Sequence, residues 1–152
     1  MPTELSPEKQ LEALISKWPE EMQALLLASR KGLQKRFPTV HELVYDYSKA
    51  LVISYSPNER GADAVVALSV EEKGLRLAFN HGSTLPDPHK LLMGKAGIMR
   101  YIILESAEDL NRQEVEALMV AAESKLLIPI APSGKGQLII KESKRKKASN
   151  KK

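Results

Sequence analysis

The sequence predicts an α+β domain, an antiparallel sheet of five or six strands with helices packed on one face. Three observations predict it. Apolar residues recur at helical spacing over residues 7–36 and again over 111–126. Between these stretches the period drops to two, over residues 40–79 and again over 99–104. The turns joining the alternating stretches are too short for the crossovers of a parallel sheet, so a doubly wound dinucleotide site is not expected.

Ser6-Pro7-Glu8 reads as a helix start, with a capping hydroxyl followed by proline at the first helical position. Leu11, Leu14, Ile15 and Trp18 continue on one stripe, and Pro19 ends that helix and opens the next. Met22, Leu25, Leu26, Ser29, Leu33 and Phe37 form the stripe of a second helix over about 19–36. Its last turn is basic, which suits the negative end of the helix dipole, and Pro38 stops it.

Residues 40–47 and 50–56 then read as strands, with Leu51, Ile53 and Tyr55 on one face. Val66, Leu68 and Val70 share a face of the next strand. Gly74 can take the positive φ of the following tight turn. Leu75, Leu77 and Phe79 alternate with Arg76, Ala78 and Asn80, as in a half-buried antiparallel strand. Residues 99–104 are apolar on both faces, which predicts a central strand. Asn111 to Glu114 predicts a capping box for a third helix carrying Val115, Leu118, Met119, Ala122 and Leu126. The segment 137–142 predicts a last short strand.

Composition bounds the function classes. With 152 residues and 43% hydrophobic content the chain can bury a real core. It has no cysteine, which excludes disulfides, zinc fingers and thiol catalysis. The polar start argues against a signal peptide, and no apolar run reaches the roughly 18 residues a membrane span needs. A cytoplasmic protein is expected.

The net charge of +4 is unevenly spread. Residues 141–152 hold seven basic residues and one acid, leaving residues 1–140 with a net charge of −2. The expected organisation is a single domain over 1–140 and a disordered basic tail over 141–152.

The stretch "HGSTLPDPHKLLMGKAG", residues 81–97, interrupts this regular pattern. Asp87 is placed to cap a short helix beginning at Pro88, after Pro86. Leu91 and Leu92 would pack inward, and Gly94 would close the turn in the left-handed region. His89, Lys90, Lys95 and Arg100 would surround that turn and hold an anion beside free backbone N–H groups. A long connection inside a compact domain is often functional. No full Walker spacing and no G-x-S-x-G elbow occurs, so neither a cofactor nor a catalytic residue is assigned.

"LPDPHKLLMGKAGIMRYIIL" followed by "AEDL" resembles the YdhG-like family of bacterial domains of unknown function. The recurring elements fall on Leu85, Pro86, Asp87, Pro88, Leu91, Leu92, Gly94 and Arg100, and the resemblance covers about residues 75–122. Ala96 and Gly97 stand where the family pattern has glycine and lysine, which leaves Lys95 as the substitute cation. The resemblance implies helices on one side of an antiparallel sheet and no established reaction. Some members are described as frataxin-like iron chaperones.

The leading expectation is a non-enzymatic module that binds an anionic small molecule or a protein partner near residues 81–100. Iron handling would need hard oxygen ligands, for which Glu4, Glu8, Glu12, Glu20 and Glu21 are candidates. Acids near a helix start are more simply explained by the dipole, and no histidine pair has metal-binding spacing. The tail residues Lys144, Arg145, Lys146 and Lys147 could neutralise nucleic-acid phosphates without reading sequence, since the tail has no aromatic residue.

Overall fold

The computed structural model describes residues 6–141. Helices α1 (Pro7–Ile15) and α2 (Glu20–Arg36) precede strands β1 (His41–Tyr47), β2 (Ala50–Ser56), β3 (Val66–Glu71), β4 (Gly74–Phe79) and β5 (Arg100–Leu104). Helix α3 (Gln113–Ser124) and strand β6 (Leu138–Ile140) complete the order. The Ser6 hydroxyl accepts the Lys9 N–H at 3.2 Å, so the first helix starts where the capping signal placed it. Gly74 opens β4 at φ +141°, as the tight turn requires.

The six strands lie in the order β5-β4-β3-β2-β1-β6. All neighbours are antiparallel except β6, which runs parallel to β1. The chain leaves the sheet at one edge after β5, passes through α3, and re-enters at the opposite edge as β6.

Register explains the core. One row runs Val44, Ile53, Leu68, Leu77 and Ile102 across five strands. A second runs Leu51, Val70, Leu75 and Leu104. Side chains directly opposite in antiparallel strands share a face, and both rows belong to one buried cluster. Leu11 and Ile15 of α1, Leu26 and Leu33 of α2, and Val115, Leu118 and Met119 of α3 fill the same cluster. Each large aliphatic side chain buried in it stabilises the fold by about 1.5–3 kcal/mol.

Three expectations are corrected. Strand β5 is at the sheet edge, not central. Its outer edge is instead paired by its own loop. Met93 exchanges two backbone hydrogen bonds with Tyr101, at 2.7 and 3.1 Å, and so pairs the outer edge. The capping box lies one turn earlier than Asn111–Glu114. Ser106 accepts the Glu108 N–H, and Asp109 accepts the N–H groups of Glu105 and Ser106, around a 3-10 turn over Ala107–Asn111. Helix α3 begins after that turn without a side-chain cap.

The third correction concerns Pro88. Residues 87–90 form a single turn, closed by the Lys90 N–H on the Asp87 carbonyl at 3.1 Å, and no helix follows. Lys90 sits at φ +56°, which ends helical propagation there. The next residues extend to reach the Met93–Tyr101 bridge.

Candidate functional site

The 81–100 segment is held by its own backbone chemistry. The two Asp87 carboxylate oxygens accept the N–H groups of Leu91 and Leu92, each at 2.9 Å. Leu91 and Leu92 pack against the core, and Gly94 takes φ +108°, in the left-handed region. His89 lines a concavity of about 150 Å³ together with Pro86, Pro88 and the start of α3. Glu114, on the same concavity, is held below the usual carboxylate range by its own backbone N–H, then by Arg112, with His89 contributing.

Lys90 and Lys95 are exposed and line neither this concavity nor the larger one on the sheet. The Arg100 guanidinium donates to the carbonyls of Gly97 and Met99, at 3.0 and 2.7 Å. The structure thus gives the four cations separate surroundings, with Arg100 engaged in shaping its own loop.

The large concavity, about 790 Å³, lies on the sheet face opposite the buried cluster. Its floor follows from register. Ser54, Ala67 and Ala78 stand side by side on β2, β3 and β4, and the same row ends in Leu43 on β1 and Tyr101 on β5. Three of the smallest side chains in adjacent strands leave a trough. Tyr45 and Tyr47 wall it on the β1 side, their rings parallel to within 4° at 6.1 Å. Tyr101 and the loop residues Ala96–Met99 wall it on the β5 side. Ile98 and Met99 are half exposed at that lip.

One end of the trough is closed by Gly61 and Ala62, whose carbonyls accept from the Asn80 side chain at 2.9 and 3.3 Å. A Cβ on Gly61 would come within 2.6 Å of the Tyr45 hydroxyl, so a larger residue here would displace the Tyr45 ring. His81 lies at the same end, exposed.

The other end is polar. Arg76 and Glu71 approach each other at 3.4 Å, and the Ser69 hydroxyl donates to the second Glu71 oxygen at 2.8 Å. The Arg76 guanidinium lies over the Tyr101 ring, 4.0 Å from its centroid. Its Nε is buried and has no hydrogen-bond partner. Burial, and then neighbouring Tyr45, raises the Tyr47 phenol above its ordinary range.

A second arginine makes an informative contrast. Arg30 grips Glu42 through Nε and Nη2, both at 2.9 Å, and reaches Glu8 at 3.0 Å. Glu42 also accepts from Gln34 at 3.0 Å and from the Tyr55 hydroxyl at 2.8 Å. Burial alone would lower the Arg30 guanidinium, but its bonds to Glu42 and Glu8 outweigh that and hold it charged. Burial, then the Glu42 charge, pushes the Tyr55 phenol well above 10. This network is saturated and structural. The Arg76 end is not.

Among the acids considered for iron, Glu8 is taken by Arg30, and Glu12 lies 3.9 Å from Lys9. Among the described residues no group of three or more histidine, aspartate or glutamate side chains is placed to hold a metal ion. Glu4 and the tail cations Lys144, Arg145, Lys146 and Lys147 lie outside the described residues. Among the described residues no helix is long and apolar enough to cross a membrane.

Sequence reasoning missed the trough residues Tyr45, Tyr47, Ser54, Ala67, Glu71, Arg76, Ala78 and Tyr101. A faint signal existed. The second face of the strands carries Ala50, Ser54, Ala67, Ser69 and Ala78 where a solvated face would carry long polar side chains. No family model, curated protein or solved structure matches the chain.

Proposed function

We propose that this protein is a YdhG-like, non-enzymatic module that binds a small molecule in the sheet trough. One observation carries the reading: the alignment of Ser54, Ala67 and Ala78 in a single register row between tyrosine walls. Small-molecule sites are concave, largely apolar and about 300–1,000 Å³ in volume, and this one falls within that range. The floor residues Ser54, Ala67 and Ala78 are themselves largely buried, at the bottom of walls raised by Tyr45, Tyr47 and Tyr101, and no helix among the described residues packs over them. Such a face is expected where something else covers it.

The 81–100 segment contributes a lip through Ala96–Met99, so the reading proposed here is centred on the trough beside that segment. Enclosure on three sides favours a small molecule over the protein partner also considered. Binding and not catalysis is assigned because Glu71, the one carboxylate lining the trough among the described residues, is held by the Ser69 hydroxyl beside Arg76.

The test is a fragment screen followed by backbone amide NMR. Flat apolar fragments are expected to shift resonances of residues 45–54, 67–78 and 96–101. Ala78→Leu, which fills the trough floor, should abolish those shifts while leaving the spectrum folded. Fragments that shift only residues elsewhere, or that bind the Ala78→Leu variant as tightly as wild type, overturn the proposal.

A further inference from the structure

We infer that Arg76 makes the trough selective for aromatic carboxylates, an inference that rests on the binding function proposed for the trough. The argument begins with what the arginine lacks. A guanidinium carries five N–H donors in a planar fork matched to a carboxylate. Arg30 uses that fork fully, with two contacts of 2.9 Å on one carboxylate. Arg76 has one ionic neighbour, Glu71, at 3.4 Å. That is well beyond the roughly 2.7–2.9 Å of a charge-assisted hydrogen bond. Its Nε has no partner at all.

The buried Nε is closed to a ligand, but the side chain is partly exposed, so a carboxylate can meet the terminal guanidinium donors that Glu71 leaves unused. The orientation of that guanidinium is already set. The stack on Tyr101 at 4.0 Å holds the guanidinium plane, and a stacked arginine keeps its donors directed outward in that plane. An incoming carboxylate therefore meets a preoriented fork and need not order a flexible side chain.

The charge balance chooses among anions. Glu71 stands beside Arg76 with one oxygen held by Ser69, so its negative charge stays at that end. A dianionic phosphate would meet that repulsion with one arginine to offset it. A monoanionic carboxylate adds a single charge and shares the geometry of the fork. Apart from Asn80 and His81 at the far end, the remaining lining is small, apolar or tyrosine, and the parallel Tyr45 and Tyr47 rings offer a wall for a flat ring. The ligand is thus a planar aromatic body with one carboxylate at the Arg76 end.

The experiment compares 2-naphthoate with its neutral amide, 2-naphthamide, by NMR titration of the wild-type chain. The expected result is shifts in trough resonances from both, with the acid binding about tenfold tighter or more, as a charge-assisted fork implies. Arg76→Gln should erase the difference between acid and amide, and Arg76→Lys should keep part of it, since a point charge remains without the fork. Equal binding of acid and amide to wild type overturns the carboxylate assignment and leaves the trough reading standing. So does an acid preference that survives Arg76→Gln. If no fragment of any charge shifts trough resonances, the underlying binding reading fails first, and this inference with it. The wild-type acid and amide comparison holds even if a variant does not fold.

Discussion

The two faces of the sheet are built from the same strands and have opposite fates. Val44, Ile53, Leu68, Leu77 and Ile102 form a row on the helix side. Their chain neighbours Leu43, Ser54, Ala67, Ala78 and Tyr101 form the adjacent row on the trough side. One residue of offset separates a packed core from an open floor. The first row is large in the middle and buried by helices. The second is small in the middle and tall at its ends. Side-chain volume along a register row, not strand length or connectivity, decides which face supports the fold and which forms a trough.

The two arginines repeat the contrast. Arg30, on the helix side, is fully paired. Arg76, on the trough side, is under-used. Disrupting each side should therefore have different consequences. The largest expected effect is at Glu42. Glu42→Ala strands Arg30 and the Tyr55 hydroxyl in a buried site and should cost about 3–5 kcal/mol, measured by urea unfolding. A loss below about 1 kcal/mol would show the network to be dispensable.

Leu68→Ala removes the centre of the core row and should cost about 2–5 kcal/mol by the same measurement. Its chain neighbour is the control. Ala67→Ser removes no apolar group from the buried cluster and should cost about 1 kcal/mol or less, well below Leu68→Ala. If the two neighbours cost the same, the two-face account is wrong.

Asp87→Ala releases the Leu91 and Leu92 N–H groups and should cost about 0.5–2 kcal/mol, by analogy with the loss of a cap. Because that turn positions the trough lip, amide shifts should extend to Ala96–Met99. Shifts confined to residues 86–93 would separate the turn from the site.

The smallest effect at neutral pH is reserved for Tyr55. Its folded-state phenol is raised well above 10, so the folded chain holds that proton more tightly than the unfolded chain. The resulting stability is complete below the unfolded value near 10 and is lost as pH rises through the folded one. Ultraviolet titration should find that Tyr55 ionises only as the chain unfolds in base. Reversible ionisation of all four tyrosines in the folded protein would contradict the buried network.

Much of the fold was legible. The Ser6 cap, the two proline boundaries, and the alternation that puts Leu75, Leu77 and Phe79 on one face all act through neighbours a few residues apart. The misreadings share a different cause. Strand β5 looked central because its two faces are apolar, yet it is an edge strand whose outer side is paired only by Met93, from the loop before it. The capping signal at Asn111–Glu114 was displaced by the stronger Ser106–Asp109 pair, which closes a 3-10 turn first. Of the cations of the 81–100 segment, Lys90 and Lys95 are exposed while Arg100 binds the carbonyls of its own loop, a contact that needs the loop to fold back.

The chain order alone determined the class of the domain, the start of the first helix, and which residues of each strand share a face, because those follow from local capping and from periods of 3.6 and 2 along a single segment. Only the tertiary structure decided that Ser54, Ala67 and Ala78 stand abreast and that Arg76 lies on Tyr101. Those neighbours come from separate strands, and their alignment depends on the register set when the turns close and the helices bury one face. A strand carries its own alternation, but it acquires cross-strand partners only by pairing.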